Sequence, residues 1–217
     1  MATNQADISA ANLSDRYRRV RAQSLALIEE LQPEDTAIQT MPDVSPSKWH
    51  LAHVTWFFER FVLEPGLDGY QRYDEQYHFL FNSYYYTAGQ MHARPKRGLL
   101  SRPTLKEILE FRRYVDTAMQ QLLQTGAADD DLLAVISLGL NHEQQHQELL
   151  LTDIKHVFSC NPLKPAVSST LGVTKGAEVA SYSYSNGEHG IHRVGAHGDG
   201  FYFDNETPRH EALLLSL

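Results

Sequence analysis

The sequence predicts a mainly α protein. A four-helix bundle occupies residues 1–163, a linker covers 164–178, and the beginning of a second, strand-bearing domain covers 179–217. Three observations carry this. Four segments place apolar residues at helical spacing and are joined by short or medium connections, the pattern of helices that bury one face each against one another. One of them, Asp131 to Phe158, is an unbroken run of helix formers interrupted by two histidines. After Cys160-Asn161-Pro162 the helical period gives way to alternating aromatic, small and polar residues with closely spaced glycines, the marks of short strands and turns.

The first helix reads from an N-cap at Ser14 through Leu13, Tyr17, Val20, Ser24, Leu27 and Leu31, and Pro33-Glu34-Asp35 ends it. Ser45-Pro46 starts the second, as a capping hydroxyl followed by proline at the first helical position. It runs to about Glu64, with an inward stripe of Trp49, His53, Trp56, Phe57 and Arg60; His50 falls outside that stripe. Residues 66–103 hold no sustained period. They are rich in tyrosine and phenylalanine, including Tyr84, Tyr85 and Tyr86, and then turn basic at Arg94, Lys96, Arg97 and Arg102. A connection this long in a compact domain is commonly functional, and a basic cluster in an acidic chain suggests a rim that binds carboxylates; an ordinary solvated loop accounts for it equally. Thr104-Leu105-Lys106-Glu107 is a capping box opening the third helix, which Gly126 stops. Asp129-Asp130-Asp131 opens the fourth, where acidic groups complement the positive end of the helix dipole. Lys164 to Gly176 reads as linker, and Ala212 to Leu217 as an unpaired strand.

Composition narrows the function. A formal charge of −8 argues against general affinity for nucleic acid, which needs a positive footprint. A single cysteine, Cys160, excludes an internal disulfide framework and fits a reducing compartment. The start of the chain has no basic-then-apolar signal pattern, and no apolar run approaches the roughly 20 residues that span a bilayer. The expectation is a soluble cytoplasmic protein without membrane or nucleic-acid partners.

Eleven histidines stand out, and two of them carry the chemistry. His142 and His146, four apart on a helix, lie on one face about 6 Å apart along the axis at ~1.5 Å rise per residue. That spacing lets both imidazoles reach one metal ion. The face reads Leu132, Val135, Gly139, His142, His146, Leu149, Asp153, so the histidines should point inward. A hydrogen-bonded pair of core histidines fits the same spacing. A glutamate follows the first histidine as in H-E-x-x-H, so a zinc peptidase also stands as a reading. A third ligand decides, and His53, inward on the second helix, is the candidate.

Three runs, Trp49-His50-Leu51-Ala52-His53, Phe81-Asn82-Ser83-Tyr84-Tyr85 and His142-Glu143-Gln144-Gln145-His146-Gln147-Glu148, resemble those of the ergothioneine-forming sulfoxide synthases. Members of that family join a DinB-like four-helix bundle to a domain of the formylglycine-generating-enzyme type, the α+β sulfatase-modifying-factor fold related to C-type lectins. Gly200 to His210 resembles the opening of that domain. The resemblance implies a non-haem Fe(II) centre held by His53, His142 and His146. It implies O2-dependent joining of cysteine or γ-glutamylcysteine to trimethylhistidine (hercynine), with sulfur leaving as a sulfoxide, and a carboxylate of the thiol substrate held by Arg94 and Arg97. The family's catalytic tyrosine falls in the part of the second domain beyond Leu217, so no catalytic residue is assigned; the expectation is a chain that binds iron and does not itself make sulfoxide. Two alternatives stand beside it: a DinB-like metal-dependent transferase of low-molecular-weight thiols, and a non-catalytic metal-binding or structural bundle.

Overall fold

The computed structural model describes residues 10–83, 89–169, 181, 189–198 and 201–215. The chain divides into two compact units, a helical one over Ile8–Ser169 and one that takes in Thr170–Leu217.

Helix α1 spans Ala10–Ala26. It begins ahead of Ser14, which lies inside the helix and is buried rather than capping it. A chain of turns follows, and Leu31 bonds back to the Ile28 carbonyl at 3.0 Å, which keeps both apolar side chains in the core. Helix α2, Ser47–Phe58, has Pro46 at its cap, continues through a π-helical turn at Glu59–Leu63, and ends in a last α turn at Glu64–Gly66. All twelve residues of Ser47–Phe58 are buried. The sequence suggested one inward stripe; instead α2 has no outward face, and its polar side chains are each provided for. Lys48 Nζ donates to the Pro103 carbonyl at 2.8 Å, Trp49 Nε1 to Leu80 at 3.1 Å, and Thr55 Oγ1 to Leu51 at 2.7 Å. A helix apolar nearly all round belongs in the middle of a domain.

The stretch 66–103, expected to be irregular, contains helix α3, Glu75–Phe81, capped by Asp74, and a 3-10 turn at Arg94–Leu99. Tyr77 and Phe81 pack edge to face at 5.1 Å, and Tyr77 meets Phe111 at the same distance. Tyr84, Tyr85 and Tyr86 lie outside the described residues. Helix α4, Leu105–Thr125, opens with the expected capping box, Glu107 N to Thr104 Oγ1 at 3.3 Å and Thr104 N to Glu107 Oε2 at 2.7 Å. It closes on Gly126, whose φ of 66° is the left-handed conformation a glycine adopts without strain. Helix α5, Asp130–Cys160, is capped by Asp129, which accepts from Leu132 N at 2.9 Å.

Helices α1 and α2 each pack against α4 and α5 around a shared apolar core. At the α2–α5 crossing, Gly139 allows the close approach: a Cβ there would lie 2.7 Å from ring carbons of both Phe57 and Phe58. Inside the core sits a charged cluster. Glu143 accepts from Arg21 Nη1 and Arg112 Nη2, both at 3.0 Å, and from Ser24 Oγ at 2.6 Å. Arg21 also pairs with Asp116 at 2.7 Å, and both arginines donate to Thr55 Oγ1. The cluster therefore joins α1, α2, α4 and α5. Burial alone would raise the Glu143 pKa; Arg21 and Arg112 outweigh it and hold the carboxyl at about 2.

In the other unit, β1 (Gly190–Val194) pairs antiparallel with β2 (His210–Leu214), Gly190 opposite Leu214 and Val194 opposite His210. The expectation of an unpaired strand at Ala212 to Leu217 is corrected here, since Ala212, Leu213 and Leu214 take partners from β1.

Replacing Glu143 with alanine leaves two buried guanidiniums without their counter-charge and is expected to cost about 3–5 kcal/mol in urea unfolding. The Glu143 pKa is depressed on folding, so its contribution is complete above the ordinary 4.5 and is lost as pH falls towards about 2. Acid titration of the wild type should show that loss, and the alanine variant should lack it. Gly139→Leu is expected to cost about 1–3 kcal/mol through overpacking against Phe57 and Phe58, measured the same way.

Candidate metal centre

Helix α2 supplies His53, and α5 supplies His142 and His146. Ring centroids lie 5.0 Å apart for His53 and His142, 4.7 Å for His53 and His146, and 4.6 Å for His142 and His146. One ring nitrogen from each falls within 4.8 Å of the others, so the three form a group that could hold a metal ion. On α5 the buried stripe is Leu133, Ile136, Leu140, Glu143, Leu150, Ile154 and Val157, and Leu149 is 46% exposed. Gly139 and Asp153 of the expected stripe are buried as well, but most of the core face lies one residue further on. Glu143 takes the core, and the two histidines stand at its edge, facing a cavity of about 230 Å³.

The ring of His53 lies stacked 4.7 Å from that of Trp49, and its Nδ1 donates to the Phe81 carbonyl at 2.6 Å. A carbonyl only accepts, so that nitrogen carries the proton and Nε2 is left bare toward His142 Nε2, 3.2 Å away. His50, placed outside the inward stripe by sequence, is 3% exposed and belongs to this site. Its Nδ1 lies 2.8 Å from His146 Nδ1 and its Nε2 3.0 Å from Asp153 Oδ2, which also accepts from Ser45 N at 2.8 Å. Periodicity gives no signal for His50, because it assigns α2 an outward face that the folded helix lacks.

Arg94 and Arg97 line the same cavity as the three histidines; Lys96 and Arg102, from the same basic run, do not. Arg97 is buried, its guanidinium 3.3 Å from the centroid of the Trp49 ring, and it donates to Ser45 Oγ and Ser83 Oγ, each at 2.9 Å. Arg94 Nη2 donates to the Asp43 carbonyl.

Burial drives the pKa of His53 and His146 well below the ordinary value, and each is pushed further down by a neighbouring histidine. Burial brings His142 to about 4. All three are neutral near pH 7, the form that ligates metals. The donor set fits a cation. Two imidazole nitrogens on one ion, each about 2.0–2.1 Å from it, stand about 3 Å apart, and His53 and His142 present that separation at 3.2 Å. His142 Nδ1 is buried without a hydrogen-bond partner among the described residues. An all-imidazole set suits zinc, iron, nickel or copper and does not choose among them. The H-E-x-x-H peptidase reading fails on geometry: Glu143 points into the core, held by two arginines, and is no base for water in the cavity.

The fold and the site thus define a helical protein with a three-histidine, metal-suited centre at the junction of two packed helices. A DinB superfamily model matches residues 16–150, and the chain belongs to that metal-binding superfamily. No curated protein matches the chain. Among the described residues no helix is long and apolar enough to cross a membrane.

Single replacement of His53, His142 or His146 by alanine is expected to abolish stoichiometric metal binding in an anaerobic titration followed by elemental analysis. Metal that binds only the folded protein stabilises it by about 2.7 kcal/mol at a hundredfold excess over Kd. Fe(II) or Zn(II) should therefore raise the melting temperature, and a chelator should reverse the rise.

Proposed function

We propose that the chain serves a non-haem Fe(II), O2-dependent sulfoxide synthesis of the ergothioneine type, joining cysteine or γ-glutamylcysteine to C2 of the trimethylhistidine imidazole. In this reading residues 1–163 are a DinB-like four-helix bundle, and 179–217 begin a formylglycine-generating-enzyme-type domain. The observation that carries the proposal is the position of Arg94 and Arg97 on the wall of the cavity that the three histidines face. A metal centre alone does not call for two guanidiniums beside it; a substrate carrying a carboxylate does.

His53, His142 and His146 would hold the iron through neutral nitrogens. Iron(II), when bound, would supply a position for a thiolate and a path for electrons to O2, the four electrons coming from the thiol sulfur and the imidazole C–H that are joined and oxidised. The protein's own part is placement. Arg97 is clamped between Ser45, Ser83 and the Trp49 ring, so its guanidinium is oriented before substrate arrives and loses little freedom on binding a carboxylate. Arg94, partly exposed, stands beside it. The buried Trp49 ring and Leu149 give the cavity apolar surface against which a substrate imidazole can lie.

A second reading, an O2-independent transferase of low-molecular-weight thiols, rests on the superfamily match, which lies within the helical unit. One assay separates the two. The Fe(II)-loaded chain, alone and joined to a complete formylglycine-generating-enzyme-type domain, is given trimethylhistidine with cysteine or γ-glutamylcysteine, with and without O2. Sulfoxide formation that requires O2 supports the proposal. Thiol transfer to an electrophile without O2, with Zn(II) as effective as Fe(II), replaces it. Arg97→Leu is expected to weaken thiol binding ten- to a hundredfold, as for loss of a charge-assisted hydrogen bond of about 1.5–3 kcal/mol, with iron content unchanged.

A further inference from the structure

We infer that His50 and Asp153 are positioning residues that determine which nitrogen His146 offers to the cavity. The inference rests on the reading of His53, His142 and His146 as metal ligands, and it assigns a role to two residues outside that set.

The argument is one of proton counting along a chain of three groups. Asp153 Oδ2 lies 3.0 Å from His50 Nε2. A carboxylate oxygen only accepts, so a neutral His50 places its single ring proton on Nε2; the opposite tautomer would set two lone pairs against each other. Its Nδ1 is then bare. The atom 2.8 Å from it is His146 Nδ1, which must supply the proton between them. With Nδ1 protonated, a neutral His146 has its lone pair on Nε2, on the far side of the ring from His50. The ring itself lies 4.7 Å from His53 and 4.6 Å from His142, centroid to centroid.

The first link in the chain is fixed in turn. Asp153 Oδ2 accepts from the backbone N–H of Ser45 at 2.8 Å, just ahead of α2, so the carboxylate is tied to the helix that carries both His50 and His53. His50 is 3% and Asp153 9% exposed, leaving little water to compete for these bonds. The three groups alternate between α5, α2 and α5, so the bonds also hold the rotation of α5 against α2 at the level of the site. His53 reaches the same state by a shorter route, through the Phe81 carbonyl. Two of the three candidate ligands are thereby set to present Nε2. A hydrogen bond at the distal nitrogen fixes tautomer and orientation, and its loss commonly costs a metal site ten- to a hundredfold in affinity.

The experiment uses the whole chain and two readouts. Long-range proton–nitrogen spectra of the histidine rings in the metal-free protein should find His146 protonated at Nδ1 and bare at Nε2, with that preference lost in His50→Leu. Zn(II) affinity, by competition with a chromophoric chelator, should fall ten- to a hundredfold in His50→Leu. It should stay within about threefold of wild type in His50→Asn, whose amide oxygen can stand where Nδ1 stood and accept the same hydrogen bond. Asp153→Ala should lower affinity, and the double variant Asp153→Ala/His50→Leu should be no weaker than His50→Leu alone, because groups acting in series are not additive. A wild-type spectrum with His146 bare at Nδ1, equal affinities for wild type and His50→Leu, or additive losses in the double variant would each overturn the inference. Failure of the wild type to bind metal would strike the metal reading instead, and the ring spectra test the proton arrangement without it. If His50→Leu does not fold by circular dichroism, the wild-type spectrum and the His50→Asn and Asp153→Ala affinities decide.

Discussion

A single carboxylate, that of Glu143, meets two guanidiniums in a space closed to water, and the four long helices meet around it. Such a cluster is stabilising only when every charge has its partner. Here the four groups come from three helices, Arg21 on α1, Arg112 and Asp116 on α4, and Glu143 on α5, with Thr55 of α2 taking further hydrogen bonds. No helix can turn about its axis without breaking a charged contact. Because Glu143 follows His142 directly, about 100° around the helix, anchoring the carboxylate in the core fixes the direction of the imidazole toward the cavity. An apolar residue in its place would hold α5 by packing alone, which tolerates small rotations; the ion cluster does not.

Much of this was open to a reader of the sequence, and the parts that were not have common causes. The capping box at Thr104, the stop at Gly126 and the Asp129 cap rest on local backbone chemistry, which acts the same way in any context. The coming together of His53, His142 and His146 could be anticipated from two helical faces, since the helix itself fixes the separation of the last two. His50 could not, because periodicity assigns an inward and an outward face, and α2 lies in the core with neither. The displaced stripe on α5 has a related cause: a glutamate reads as solvent-facing until Arg21 and Arg112 are found to meet it, and they lie far away in sequence. Of the basic run, charge alone made Arg94, Lys96, Arg97 and Arg102 equivalent; the 3-10 turn at Arg94–Leu99 is what turns two of them to the cavity.

The two halves of the cavity wall are held by different means. The histidine side is braced by the hydrogen bonds of His53 to the Phe81 carbonyl and of His50 to the Asp153 carboxylate, and by the helix pair that carries it. The arginine side is braced by the stacking of Arg97 on Trp49 and by two serine hydroxyls, one ahead of α2 and one after α3. Trp49 belongs to both, with His53 stacked on it as well. A cation on the electron-rich face of an indole is attractive, most so where water is excluded. One ring thus fixes the distance between the Arg97 guanidinium and the His53 imidazole.

The complete enclosure of α2 sets how a bound ion would come and go. A ligand on a surface helix can swing aside as the helix frays, and the metal then leaves by stepwise loss of its donors. His53 has no such freedom, because the helix that carries it has core on every side and opens only with the domain. Exchange would therefore run through the cavity that Leu149, Arg94 and Arg97 help to line, with His53 staying in place. The residence time of such an ion would then follow the rate at which incoming water or thiol strips it, and toward it the protein would act as a rigid chelate rather than a flexible one.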